Sequence, residues 1–222
     1  MSFFEDCVND FESMDSSLKT TCDSVWDEVS LKVQDQKLTN SGIFDPHKRQ
    51  QILTELKQRP SFLVHVANKA KTSGQKMDTF VEVGTAQGLQ SIIFAKSFPN
   101  SSVYTCDIKD ERDKNFEENK NVKFVLGDSL ALGKELRKDE KSVDLCWVDG
   151  SHDHYAVVDD FLSLLPRTHK STIWAFDDYD SRFGCFRDLN VLIKHFEEHV
   201  VLDLGLTASG NPNRIIVARG FQ

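Results

Sequence analysis

The 222-residue chain carries 27 Lys and Arg against 35 Asp and Glu, a net charge of −8, with 39% hydrophobic and 10% aromatic residues. This is the composition of a globular domain with a full core, and the acidic balance argues against a protein built around the phosphate backbone of nucleic acid. No apolar run reaches the length of a membrane span, the acidic N-terminus does not read as a signal segment, and five cysteines without a C-x-x-C pair point to a reduced, cytoplasmic setting with no cysteine metal site.

Two helical patterns open the chain. Residues 3 to 19 place Phe4, Val8, Phe11 and Leu18 on one face, and residues 24 to 36 repeat the pattern with Val25, Val29 and Val33. Thr39-Asn40-Ser41-Gly42 reads as a loop. Asp45-Pro46 then reads as an N-cap followed by proline at the first helical position, with the helix running to Gln58 and stopped by Pro60. A further helix is expected from Phe62 to Lys71.

The apolar run Phe80-Val81 with Val83 suits a strand buried on both faces. Gly84 and Gly88 bracket a tight turn after it, and Leu89, Ile92, Ile93 and Phe94 continue at helical spacing. A second strand, Val103 to Cys106, ends at Asp107, a carboxylate placed to accept hydrogen bonds from ribose hydroxyls. The alternation continues with a charged helix at 110–119, a strand at Val122–Leu126, a helix at Leu130–Lys138, a strand at Val143–Val148, a helix at Tyr155–Leu165 and a strand at Thr172–Phe176. A helix from Cys185 to His199 and two strands, Val200–Leu206 and Arg214–Ala218, joined by S-G-N-P-N, close the chain. Strands alternating with helices predict a mostly parallel sheet covered on both faces.

Glu82 sharpens the glycine turn. A carboxylate two residues before Gly84 repels a diphosphate and suits a cationic, phosphate-free nucleoside. Here the chain resembles the class I S-adenosylmethionine-dependent methyltransferases, whose E/D-x-G-x-G-x-G motif is met by Glu82, Gly84 and Gly88, with Ala86 in place of the middle glycine. A second signature, V-D-G-S-H-D-H-Y with Asp160 and Phe161 downstream, resembles the D-G-x-H segment of methyltransferase family 24-like enzymes, which include metal-dependent small-molecule and sugar O-methyltransferases. W-A-F-D-D-Y resembles the ending of that family's fifth strand.

The resemblance implies a Rossmann-like α/β fold with a seven-stranded, mostly parallel sheet and a C-terminal antiparallel hairpin. Residues 1–40 read as an N-terminal helical cap, serving as a lid, as a homodimer contact or simply as packing against the outside of the domain, with 41–222 the methyltransferase domain. It implies cofactor binding by Glu82, Gly84, Thr85, Ala86, Gly88, Asp107, Ile108, Asp128, Ser129 and Asp149. Asp128 or Ser129 is equally suited to capping a helix.

Carboxylates at the ends of parallel strands share one rim, where their repulsion calls for cations: the cofactor's sulfonium and ammonium, and a divalent metal. Asp149, Asp177 and Asp178 suit Mg²⁺ or another hard cation. His152 is the candidate general base, with Asp149 beside it at the reacting centre. Asp160 is placed to brace this loop, the 180–183 stretch to hold an acceptor, and Trp147 and Trp174 to fill the core. The expected reaction is methyl transfer to a hydroxyl of a small acceptor. The rivals are a metal-dependent, non-methylating hydroxylase-like relative, a methyltransferase acting on a macromolecule, and a non-catalytic partner protein of the same fold.

Overall fold

The computed structural model describes residues 2–27, 45–112, 114–206 and 212–222. The strands are β1 (Thr79–Val83), β2 (Ser102–Asp107), β3 (Val122–Leu126), β4 (Val143–Val148), β5 (Thr168–Phe176), β6 (Phe196–Leu206) and β7 (Pro212–Phe221). They form one sheet in the order β3-β2-β1-β4-β5-β7-β6. β1 to β5 pair in parallel, and β7 runs antiparallel to both β5 and β6. This is the expected Rossmann-like sheet with its terminal hairpin.

Successive residues of β1 face opposite sides, as the pleat requires. Phe80 joins a buried cluster with residues of α1 (Phe3–Asn9), α2 (Ser16–Val25), α3 (Pro46–Thr72) and α4 (Leu89–Ser97). Val81 joins the opposite cluster, formed with α5 (Ser129–Lys138), α6 (Ala156–Leu164) and α7 (Cys185–Leu192). The result is three layers, which explains why all of β1 is buried. Trp174 is core, as expected, and among the described residues no helix is long and apolar enough to cross a membrane.

Several boundaries differ from the sequence reading. The single helix expected at 3–19 is two, because Asp15 caps a new helix by accepting hydrogen bonds from the Ser17 and Leu18 N–H groups. The pattern at 28–36, the loop signal at 39–42 and the proposed boundary at residue 40 lie outside the described residues. Pro60 does not end a helix. It sits inside α3, whose following turns are held by the fully buried Phe62, Leu63, Val64, Val66 and Ala67. Tertiary burial there outweighs the one backbone hydrogen bond a proline removes.

The charged segment at 110–119 is a short 3₁₀ turn, Lys114–Glu118, and Arg112 lies 4.1 Å from the Phe124 ring centroid. Residues 196–199 are strand rather than helix. Phe196 pairs with Phe221 and His199 with Ala218, so the ladder to β7 claims them.

α1 and α2 belong to the main core. Phe4 and Cys7 are fully buried, the Phe4 N–H donates to Glu198 Oε1 at 3.1 Å, and Asp10 accepts from Lys69 and pairs with His65.

Candidate active site

β1 and β4 are neighbours, and from them the sheet is built outward in opposite directions, which opens a crevice at their carboxyl ends. The Asp149 N–H donates to the Val83 carbonyl at 2.9 Å, so the first turn after β4 lies against the glycine turn after β1. Gly84 has φ +93° and Gly88 φ +82°, and Gly88 makes room for the Phe116 ring. Ala86 also takes a left-handed backbone, φ 44°, in the place of the middle glycine. Its N–H donates to Asp107 Oδ2 at 2.9 Å, while Asp107 Oδ1 accepts from the Lys109 N–H at 3.1 Å.

Two hollows meet at this turn, sharing Gly84, Ala86 and Asp149 in their walls. The larger, about 950 Å³, is lined by Asp107, Ile108, Asp128, Ser129, His152 and Asp160 among others. The smaller, about 150 Å³, is lined by Glu82, Thr85, Gln90, Trp147, Trp26 and Arg59 among others. Of the residues singled out from sequence, Asp107, Ile108, Asp128 and Ser129 fall on the first and Glu82 and Thr85 on the second. Asp128 caps α5 through the Ala131 N–H at 2.9 Å. The Ser129 hydroxyl hydrogen-bonds the Asp160 carboxylate, whose burial raises its pKa.

Glu82 is buried under the smaller hollow. Its Oε2 accepts from the Ser91 and Thr105 hydroxyls, and Thr105 Oγ1 lies 2.6 Å from Thr85 Oγ1. Burial raises the Glu82 carboxyl to about 7 against the hydroxyl donors, which pull it down. Gln90 is 8% exposed, and its Nε2 has no partner among the described residues.

The acid rim divides in two. One donor atom each from Asp149, His152 and Asp178 lie within 4.8 Å of one another. His152 Nε2 is 2.6 Å from Asp178 Oδ2, and its ring packs on Phe183 at 4.7 Å. The Asp178 hydrogen bond raises the imidazole pKa. Asp178 itself has a left-handed backbone, φ 53°.

Asp177 does not join that trio. It is ion-paired with Arg59 of α3, and the guanidinium Nε also donates to Asn213 Oδ1 at 2.8 Å. Burial raises Asp177 to about 6, with Arg59 opposing the rise. Burial and the charges of Asp177 and Asp178 together lift Asp149 well above the carboxylate range. Two carboxylates and an imidazole at this spacing fit a divalent cation. The turn, with its orphaned Gln90 amide and buried carboxylates, fits a cationic amino-acid nucleoside.

Arg59, Gln90 and Trp26 are the site residues that sequence reading missed. Gln90 left a trace as a polar residue inside the apolar run of α4. Arg59 left only the unbalanced charge of the rim, because it lies 118 residues from Asp177.

Comparison with known proteins agrees with this arrangement. Residues 81–179, slightly under half of the chain, match the family described as methyltransferase domain, family 24. A search of curated protein sequences gave no significant match. Among solved structures, an O-methyltransferase from Bacillus cereus in complex with SAH aligns over 95% of this chain and 99% of its own, with TM-score 0.60 and 18% identity. The O-methyltransferase TomG from Streptomyces achromogenes, involved in tomaymycin synthesis and in complex with SAM, aligns over 72% and 78%, with TM-score 0.56 and 15% identity. The mycinamycin-pathway methyltransferase MycE, in complex with Mg, SAH and mycinamycin VI, aligns over 72% of this chain but 50% of its own, with TM-score 0.52 and 17% identity. The glycine turn, the D-G-x-H loop and the sheet order agree with these matches: residues 81–179 are similar to a family 24 methyltransferase domain, and they sit in a Rossmann-like sheet.

Proposed function

We propose that the chain transfers a methyl group from S-adenosylmethionine to a hydroxyl oxygen of a small acceptor. The observation that carries the reading is the pair of hollows joined at Gly84, Ala86 and Asp149. The larger would take the adenosine half, with Asp107 facing the ribose hydroxyls and Ile108, Asp128 and Ser129 the base. The smaller would take the amino-acid half, with Glu82 and Asp149 facing its ammonium and the Gln90 amide its carboxylate. When bound, the cofactor supplies an electrophilic methyl on a sulfonium.

The chain's own work is orientation and proton management. Asp178 holds His152 by Nε2 and stabilises its protonated form. That leaves Nδ1 of the neutral ring to take the acceptor's hydroxyl proton. Phe183 fixes the ring plane from the loop after β5.

A divalent cation is the second part of the proposal. Asp149 and Asp178 would hold it, with His152 in reach and with Asp177 added if Arg59 lets go. When bound, such an ion lowers the pKa of a hydroxyl presented to it. MycE, in complex with Mg, SAH and mycinamycin VI, lends support to both the cation and a small-molecule acceptor.

The test is calorimetric titration with S-adenosylhomocysteine, followed by a panel of catechols and sugars assayed for S-adenosylhomocysteine production with Mg²⁺ and with EDTA. Micromolar binding and Mg²⁺-dependent turnover is the expected result. Turnover indifferent to EDTA would remove the cation. Absence of binding would move the non-methylating relative to the front.

A further inference from the structure

The acid rim contains a cation of its own. Arg59 leaves α3 immediately before Pro60, the residue that breaks the backbone ladder of that helix, and its guanidinium crosses to the strand ends. It pairs with Asp177 through Nη1, stands 4.0 Å from Asp178 Oδ1 through Nη2, and is anchored by Nε on the buried Asn213. Asp178 is thereby bracketed, with Oδ2 toward His152 and Oδ1 toward Arg59. The fork uses three nitrogens on three residues, two adjacent after β5 and one in β7, the geometry in which arginine is hardest to replace by lysine.

We propose that Arg59 is the resident cation of the rim and competes with a divalent ion for Asp177 and Asp178. A metal between Asp149 and Asp178 would sit beside the guanidinium, and two like charges at that range repel strongly where water is scarce. The ion therefore binds by displacing Arg59 or by accepting a site one carboxylate short. Because Arg59 and Pro60 also wall the smaller hollow together with Trp26, displacement shifts that wall, so cation binding is coupled to the shape of the pocket. Arg59 is a positioning residue in this scheme. It sets both the orientation of Asp178 behind His152 and the cation affinity of the site. The competition presupposes the divalent-ion reading above. The ion pair does not.

The experiment is titration of the full chain with Mn²⁺, followed by calorimetry and by the loss of the free-ion paramagnetic resonance signal. Arg59→Gln is expected to bind Mn²⁺ at least tenfold more tightly than the wild type. Arg59→Lys, which keeps the charge and loses the fork, is expected to gain less. Asp177→Asn in the Arg59→Gln background is expected to cancel most of the gain, since the carboxylate that was set free is gone. Equal or weaker binding by Arg59→Gln overturns the competition, as does a gain that survives Asp177→Asn or an absence of Mn²⁺ binding in every variant. S-adenosylhomocysteine is titrated in parallel. If it binds every variant, at the wild-type affinity or a shifted one, the fold and nucleoside cleft are intact and the Mn²⁺ result stands on its own. If it fails to bind the wild type, the methyltransferase reading falls while the cation comparison remains readable. Should Arg59→Gln fail to fold, Arg59→Met, which keeps the apolar stem against Pro60, carries the same expectation.

Discussion

A methyl group built onto Gly84 would lie 2.0 Å from the carbonyl oxygen of Asp149. That overlap is with backbone, and the backbone of β4 is locked to β1 by the Asp149 N–H to Val83 hydrogen bond. The two turns that carry the glycine motif and the D-G-x-H loop are thus in contact at a position where no side chain fits. Gly84→Ala would have to separate β1 from β4 and adopt a strained φ. The expected cost is about 3 kcal/mol or more in urea unfolding, with loss of S-adenosylhomocysteine binding in whatever folds.

Glu82 gives the apo protein a signature in pH. Its folded pKa of about 7 lies above the 4.5 of an ordinary glutamate. Between those values the folded chain holds a proton that the unfolded chain has released, so stability falls as pH rises through the window and levels off above it. The loss is on the order of 3 kcal/mol. Glu82→Gln keeps an acceptor for the Ser91 and Thr105 hydroxyls and removes the charge. Thermal melts should show the variant about 5 °C or more above the wild type at pH 8 and level with it near pH 4.5. A variant less stable than the wild type at pH 8 would refute the account. A cationic ligand beside Glu82 draws its proton off, so S-adenosylmethionine binding near pH 6.5 should release protons, seen as a buffer-dependent enthalpy.

His152 and Asp107 should separate chemistry from binding. His152→Asn is expected to lower kcat by roughly 10²–10⁴-fold with a much smaller change in S-adenosylhomocysteine affinity, because the proton it is proposed to take is the acceptor's and not the cofactor's. Asp107→Ala is expected to weaken S-adenosylhomocysteine by roughly tenfold to a hundredfold, as loss of a charged hydrogen-bond acceptor does. Its melting temperature should also fall by a few degrees, since the half-buried carboxylate accepts the Ala86 and Lys109 N–H groups. A swap of the two phenotypes would overturn the assignment of the hollows.

Ala86 holds a left-handed backbone that glycine adopts without strain. Ala86→Gly is therefore expected to leave the fold intact and to stabilise it by about 1 kcal/mol, less the added entropy of the unfolded chain. Urea denaturation of the purified variant checks the sign.

What was legible in the sequence was what periodicity and local chemistry control. β1, the glycine turn, α4 and β2 were readable because an apolar strand, a turn that needs glycine and a helical stripe follow one another within 30 or so residues, about the length of one strand–helix–strand unit. The rim of Asp107, Asp128, Asp149 and Asp177 followed from parallel pairing alone. The errors came where tertiary packing overrode a local signal. Pro60 reads as a stop until Phe62 and Leu63 are seen buried on the sheet, and Phe196–His199 reads as helix until β7 lies beside it. Arg59 was invisible for a different reason. Its partner Asp177 is distant in sequence, and nothing around either residue marks the pair. The carboxylates announced that cations were needed, and only the fold showed that one of them was built in.

β7 lies between β5 and β6, though it follows both in the chain. A nascent chain that has emerged as far as β6 therefore holds an unfinished sheet: β5 presents an open edge, and β6 has no neighbour until β7 is made. Both are exposed strands of the kind that recruit other chains. β7, made after both, is the keystone for two earlier strands, so completion of the sheet has to wait for its translation. A pause at that step leaves both edges open to an exchange of β7 between copies.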